Sequence, residues 1–263
     1  MRKNIPNKPY FSIITCTKNS EKFLRKNIDS VKAQTFKDYE HIFIDGFSND
    51  ETRKMIESYK RVNRKSVKVF QKKPLGISDA MNEGIKRARG KYIIHLHSDD
   101  YFYDNKVLED ARGFISKHGF PDWIYGKINV VEEDGKDVGV FPKWKIFQIS
   151  WENLLKLINF IPHQAVFVKK EVFKKFGNFD TSLKTSMDLD LWLRISGKTK
   201  WLFFDRIIAN YTIGPNSASS SLKAKKENAE RAEYVRKKHL SKIEVILAGI
   251  INKVSDAINK VYR

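Results

Sequence analysis

Cysteine is almost missing from this chain: Cys16 stands alone. A single thiol excludes an intramolecular disulfide framework and any multi-cysteine zinc cluster, and it fits a reducing compartment. Long apolar runs are missing as well. Nothing approaches the roughly 18 to 20 consecutive apolar residues that span a bilayer. The apolar stretch from Phe11 to Cys16, behind a polar and basic start from Met1 to Pro9, is far too short for a signal-peptide core. These absences describe a soluble or peripheral protein made and kept on the cytosolic side. Acidic residues are scarce: 31 Asp plus Glu face 50 Lys plus Arg, a formal charge of +19 over 263 residues. An excess of this size has three readings: a nucleic-acid surface, an anionic membrane surface, or the habit of a Lys-rich organism. No zinc-finger spacing or RNP-like aromatic motif accompanies the charge, which argues against nucleic acid.

What is present is enough for a core. A hydrophobic content of 41% with 13% aromatics excludes a wholly disordered chain and suits one large domain, with or without a terminal extension. Short β-rich runs alternate with amphipathic stretches through the first hundred residues. Phe11 to Cys16 reads as a strand, followed by a helix capped by Asn19 or Ser20 with Phe23, Leu24, Ile28 and Val31 on one face. Glu40 to Asp45 is a second strand. Ser48-Asn-Asp-Glu51 reads as a capping box for a helix carrying Met55, Ile56 and Tyr59. Val67 to Phe70, a helix over Ser78 to Ala88, and a strand over Lys91 to Leu96 complete the pattern. Such alternation predicts an α/β, doubly wound, mostly parallel sheet with helices on both faces, whose ligands bind beyond the carboxyl ends of the strands. In the second half, Trp123 to Val131, Ala165 to Val168 and Trp201 to Phe204 read as strands and Asp188 to Ile195 as a helix.

Three sets of carboxylates fall at places where chemistry is done. Asp45 ends a strand before Gly46, where it either accepts hydrogen bonds from a base or ribose or simply forms the turn. Asp99 and Asp100 close the fourth strand. As oxygen donors they suit Mg²⁺ or Mn²⁺ shared with substrate phosphates, the alternative being an acidic turn before Tyr101. His97 is either a further ligand or a hydrogen-bonded side chain. Asp188 and Asp190 stand two apart at a helix start. One of them can face a cleft as a general base while the other caps the helix, or both serve capping and an ion pair with Arg194.

Five segments, in order and with suitable separations, resemble a known family: Phe11-Ser-Ile-Ile-Thr-Cys-Thr-Lys-Asn19, Ile44-Asp-Gly-Phe-Ser-Asn-Asp-Glu-Thr52, Gly76-Ile-Ser-Asp-Ala-Met-Asn82, Leu96-His-Ser-Asp-Asp100 and Met187-Asp-Leu-Asp-Leu-Trp-Leu-Arg194. They resemble the family 2 inverting glycosyltransferases with the GT-A fold, in the flavour of the colanic-acid and surface-polysaccharide subgroup. The resemblance covers about residues 10 to 220. It implies transfer of a sugar from a nucleotide-sugar donor, commonly a UDP-sugar, to a hydroxyl of a glycan or lipid-linked acceptor, with inversion and with Mn²⁺ or Mg²⁺. Residue by residue, it implies that Asp45 binds the base. Thr15, Thr17 and Asn19 would line the nucleotide pocket, and Asp79 would lie near the diphosphate or donor sugar. Asp99 and Asp100 would contact ribose and metal as the DxD region, and Asp188 would be the catalytic base. His163, in Pro162-His-Gln164, resembles a histidine of the acceptor side, where a structural role competes, and Asp190 is assigned to the same side. The pattern is broken in places. His97 takes the first DxD position, Gln71-Lys-Lys-Pro-Leu75 replaces acidic residues, and Ser78 stands where an aromatic is frequent.

Phe176-Gly-Asn-Phe-Asp180 reads as a turn leading to the catalytic helix, and Gly214-Pro-Asn-Ser217 as a mobile loop over the site. After Ser221 the composition shifts: residues 223–263 hold 11 Lys/Arg and 5 Asp/Glu, a net +6. Residues 1–222 therefore read as the GT-A domain and 223–263 as a basic amphipathic helical tail. Its stripe of Ile243, Leu247, Ile250, Val254, Ala257 or Ile258, and Val261 has two readings: insertion among anionic headgroups, placing the enzyme on the inner face of the cell membrane, or packing on the domain or a second subunit. Two other functions compete with the transferase. A sugar nucleotidyltransferase is disfavoured by the lack of a Gly-rich phosphate loop near the amino terminus. A non-catalytic basic module binding nucleic acid or membrane would show salt-sensitive binding without turnover.

Overall fold

The computed structural model describes residues 8–143, 151–214 and 222–261. The amino-terminal half alternates as expected: β1 (Phe11–Thr17), α1 (Glu21–Ala33), β2 (Tyr39–Asp45), α2 (Thr52–Val62), β3 (Val67–Gln71), α3 (Ile77–Arg87) and β4 (Tyr92–His95). β3, β2, β1 and β4 lie side by side and all parallel. The chain builds outward from β1 to β3, then returns to place β4 on the other side of β1. The strand order therefore reverses between β1 and β4, the place where a crevice opens at the strand ends.

The remaining elements are β5 (Tyr101–Phe102), α4 (Val107–Lys117), β6 (Trp123–Glu132), β7 (Asp137–Phe141), α5 (Trp151–Leu157), β8 (Val166–Lys169), α6 (Lys170–Phe176), α7 (Met187–Ile195), β9 (Trp201–Ile213), α8 (Leu222–His239) and α9 (Lys242–Val261). Past β4 the sheet continues through β8, β6, β9 and β5, with β8 antiparallel to both neighbours and β7 hairpinned onto β6. The result is a mixed sheet with a parallel half that carries the crevice.

Residue alternation along β1 explains the layers. Ile14 and Cys16 face a core shared with Met81 and Ile85 of α3, Leu155 of α5, and Leu189 and Trp192 of α7. Phe11 and Ile13 face the opposite layer with Leu108, Ala111 and Ile115 of α4. A third cluster joins Leu24 and Ile28 of α1 to Phe43, Ile56, Tyr59 and Val67. Gly84 lets α3 lie flat on β1, since a Cβ there would come within 2.4 Å of Ile14.

The capping box expected at Ser48 and Glu51 does not form. Ser48 is drawn inward to Asp45, its hydroxyl donating at 2.6 Å, and the first N–H of α2, at Thr52, donates to Asp50 Oδ1 at 3.0 Å. The tail is two helices rather than one stripe. Val235 of α8 is fully buried in the core that contains α7, and Ala248 of α9 is buried beside α5. Pro215 to Ser217 of the expected loop, and the side chains of Val254, Ala257, Ile258 and Val261, lie outside the described residues.

Candidate active site

Three structural units meet at the carboxyl end of β4. The first is the loop Leu96 to Asp100. It is tied down by Asn27, a fully buried side chain in the middle of the apolar face of α1. Asn27 Nδ2 donates to the carbonyls of His97 (2.8 Å), Asp100 (2.9 Å) and, more weakly, Leu96 (3.4 Å). β9 closes the other side: Thr212 Oγ1 donates to Asp99 O at 2.6 Å and Thr212 N to Asp100 Oδ1 at 3.3 Å. Neither Asn27 nor Thr212 figures in the sequence reading. A lone Asn at the centre of the stripe Leu24, Ile28, Val31 was the available signal, because an amide is placed there only when it has partners.

The two neighbouring aspartates go to different places. Asp99 is partly exposed, and its carboxylate makes no hydrogen bond or ion pair with another described residue. Asp100 is buried, and its Oδ2 finds no hydrogen-bond partner among the described residues. Burial, reinforced by the charge of Asp99, raises its pKa well above the ordinary carboxylate range. The expected pair is thus divided in the structure: the Asp99 carboxylate is open, while Asp100 has one oxygen engaged and one buried without a partner among the described residues. Asp100 turns toward β9 and serves the loop, because its Oδ1 is the acceptor for the Thr212 amide. No group of three or more His, Cys, Asp or Glu side chains among the described residues could hold an ion unaided. The donor set fits a divalent cation held by one carboxylate, Asp99, together with oxygens of a bound diphosphate.

The second unit is the turn into α7. Ser186 adopts a left-handed backbone (φ +60°), a strained conformation for a residue with a side chain, and it starts α7 so that Asp188 falls in the first turn. The Asp188 side chain is 18% exposed. Burial raises its pKa, opposed by the Asn159 amide, which donates at 3.5 Å. His163, in a short 3₁₀ turn, lies with Nδ1 4.0 Å from Asp188 Oδ2. Its Nε2 is 2.6 Å from Nε2 of His97. Burial pushes both imidazoles down to about 4, so at neutral pH both rings are uncharged, one donating and the other accepting. His97 is thus a hydrogen-bonded side chain joining the β4 loop to His163, which lies beside Asp188.

The third unit is the loop after β2. Asp45 sits at the end of β2, but its carboxylate is already engaged: Oδ1 accepts from Thr17 Oγ1 (3.0 Å) and Ser48 Oγ (2.6 Å), Oδ2 from Ser48 N (3.1 Å). Asn19, at φ +50°, accepts from Asn49 N at 3.0 Å and donates its own N–H to Ser48 Oγ at 2.9 Å. Thr17, Asn19, Asp45 and Ser48 form one small lattice that shapes the loops over the crevice. Thr15 is fully buried beneath it, bonded to His41 and Leu96 O. Asp79 is not gathered into the site by any hydrogen bond or ion pair among the described residues. It pairs with Lys72 at 3.1 Å in a groove between α3 and α6 lined also by Asn82, Lys86, Lys170 and Lys174. Asp190, expected on the acceptor side, is engaged in an ion-pair cluster with Arg194, Lys238 and His239.

The sequence profile described as "Glycosyl transferase family 2" matches residues 12–177, which contain the β1, β2 and β4 ends and His163. The chain belongs to glycosyl transferase family 2. It is 30% identical over 205 residues to an uncharacterized glycosyltransferase of Rickettsia bellii, covering 76% of this chain and 29% of that one. The chain thus spans about three tenths of that relative's length. In fold it is similar to TarS of S. aureus, residues 1–349 in complex with UDP-GlcNAc, with TM-score 0.66, 21% identity, and 86% and 65% of the two chains covered. It is similar also to the mannosyltransferase PcManGT of Pyrobaculum calidifontis in complex with GDP-Man and Mn²⁺, with TM-score 0.64, 13% identity, and 87% and 64% covered. The GT-A fold expected from the sequence is therefore the observed one.

Proposed function

We propose that this family 2 glycosyltransferase moves a sugar from a UDP-sugar donor to a hydroxyl of a glycan or lipid-linked acceptor, with inversion, in the assembly of a cell-surface polysaccharide. The observation that carries the proposal is that the His97–His163 contact brings the loop of Asp99 next to Asp188. Asp99 is available at the β4 end, and Asp188 is half-sheltered at the start of α7. In-line displacement at an anomeric carbon needs a base on the face opposite the leaving diphosphate. Asp188 fits that task, since its raised pKa makes it a stronger base than an exposed aspartate. The acceptor oxygen forms a bond to the anomeric carbon, the bond from that carbon to the diphosphate oxygen breaks, and the acceptor proton passes to Asp188. A divalent cation on Asp99, when bound, offsets charge on the diphosphate. The uncharged His163 lies 4.0 Å from Asp188 and adds no positive charge beside it.

The outward face of α9 supports a membrane-side acceptor. Ile243, Ile246, Leu247 and Ile250 are all exposed, Ile243 by 71%, and they share one side of a helix in a chain of net charge +19. The occupant we assign to that face is anionic lipid. No helix among the described residues is long and apolar enough to cross a membrane. The base assignment is tested with Asp188→Asn, which is expected to lose turnover while still binding UDP with Mn²⁺. Retained turnover overturns it.

A further inference from the structure

The run Arg236-Lys-Lys-His239 closes α8. Three of its four side chains are used inside the fold. Arg236 is buried, with Nε and Nη2 donating to the carbonyls of Lys156 (3.1 Å) and Leu157 (3.2 Å). These are carbonyls at the carboxyl end of α5, which a helix leaves without intrahelical partners. Lys238 Nζ (2.9 Å) and His239 Nε2 (2.8 Å) both donate to Asp190 Oδ1, and Lys238 also reaches Asp180 at 3.1 Å. Arg194 takes the other oxygen of Asp190 at 3.1 Å and continues to the carbonyls of Phe176 and Asn178. Lys237 alone turns outward, to Glu233.

Both grips fall beside the same group. Asp190 is two residues from Asp188 in the first turn of α7. Leu157 is two residues before Asn159, which donates to Asp188. Asp190 is 1% exposed, and a carboxylate removed from water to that degree holds its position only with charged donors around it. α8 therefore bridges the two segments whose relative placement sets the direction of the Asp188 carboxylate.

We propose that α8 is part of the catalytic apparatus: Arg236, Lys238 and His239 are positioning residues that hold α5 and α7 on either side of Asp188, so that the base is aimed only while α8 is docked. The proposal rests on Asp188 being the base. Misplacement of a catalytic group by about 1 Å costs on the order of 100-fold in rate, and the contacts removed here are adjacent to the base rather than part of it.

The experiment uses the full chain with Lys238→Ala, His239→Ala, His239→Gln and Lys237→Ala. The probe is the UDP-hexose that the wild type hydrolyses fastest with Mn²⁺, with UDP as the binding ligand. Amide hydrogen exchange over residues 157–163 and 186–190 is the substrate-free measurement. Lys238→Ala and His239→Ala are expected to lower kcat by about 10- to 100-fold with donor KM and UDP affinity within about twofold. Exchange should quicken in those two segments and not in β1 to β4. His239→Gln, whose amide can donate from a similar place, is expected to recover most of kcat, and Lys237→Ala to match the wild type. Unchanged kcat and exchange in His239→Ala and Lys238→Ala overturn the proposal. So does a joint collapse of kcat, UDP binding and melting temperature that His239→Gln does not rescue, since that marks a general role in folding. Turnover by Asp188→Asn sinks the base assignment whatever the α8 variants do. Inactive Asp188→Asn beside fully active α8 variants sinks the positioning role alone.

Discussion

Replacing Asn27 by Ala tests how the β4 loop is held. The side chain donates to three carbonyls, but the loss is not three equal terms. Leu96 O keeps Thr15 Oγ1 at 2.7 Å, and His97 O keeps Asp100 N at 3.0 Å. Among the described contacts only Asp100 O is left without a donor. An orphaned buried carbonyl costs about 1 to 3 kcal/mol, and each of the two good hydrogen bonds lost contributes about 0.5 to 1.5 kcal/mol. Against this, Asn27 Oδ1 is itself buried without a partner among the described residues, and its removal relieves a cost of similar kind. The net destabilisation is about 2 kcal/mol, which for a chain of this size lowers Tm by roughly 4 to 8 °C. The loop that carries Asp99 loosens with it, so Mn²⁺-dependent binding of UDP should weaken more than melting alone accounts for. Differential scanning calorimetry and UDP titration, each with and without Mn²⁺, measure the two effects. A variant that melts within about 2 °C of the wild type and binds UDP equally well would refute the assignment of Asn27 as the anchor.

Three further outcomes follow from the same geometry. The base must be deprotonated to act, and burial raises the Asp188 pKa, so the acid limb of kcat is expected above the ordinary value of 3.8. Asn159→Ala removes a donor that favours the carboxylate and should move that limb higher still, while a limb shifted lower would contradict the contact. UDP at 100 times its dissociation constant with Mn²⁺ should stabilise the wild type by about 2.7 kcal/mol. EDTA and Asp99→Asn should both remove the metal-dependent part of that shift, whereas Asp100→Asn should retain metal dependence because Asp100 faces Thr212. Co-sedimentation with phosphatidylglycerol vesicles should exceed that with phosphatidylcholine, fall with salt, and be lost in the double variant Ile246→Glu, Ile250→Glu. Salt-insensitive dimerisation abolished by the same double variant would reassign that face to a second copy.

The parallel half of the sheet was legible because its signals are local. β1 to β4 and α1 to α3 follow from alternating or helical apolar spacing over a few residues. The second half was harder for a physical reason. β5 is two residues long, β7 is mostly exposed, and α4 carries its apolar residues Val107, Leu108, Ala111 and Ile115 among charged neighbours. β9 runs to Ile213, well past the expected Phe204, because its later residues pair with β6 and β5, partners distant in sequence. The site shows the same division. The strand-end positions of Asp45 and Asp99 and the helix-start position of Asp188 were readable, but the direction of each carboxylate was not. Whether Asp45 is open or engaged depends on Thr17, 28 residues earlier, and whether Asp100 can reach a metal depends on Thr212, 112 residues later.

Charge illustrates the limit most sharply. Counting Lys and Arg in residues 223–263 gives a basic tail, and the count treats Arg236, Lys237 and Lys238 alike. In the folded chain Arg236 serves α5, Lys238 serves Asp190, and Lys237 faces outward. Helical geometry separates them: neighbours in sequence are about 100° apart around the axis, so a run of three cations cannot all point one way. Such a run contributes to a membrane-facing field only through the members that point outward. On the proposed membrane reading the electrostatic part of lipid binding would rest on outward cations such as Lys237, while Arg236 and Lys238 hold α5 and α7. Neutralising Lys237 is accordingly expected to weaken vesicle binding without touching kcat, and neutralising Lys238 to do the reverse. A tail whose cations all behaved alike in these two assays would be incompatible with the packing of α8 described above.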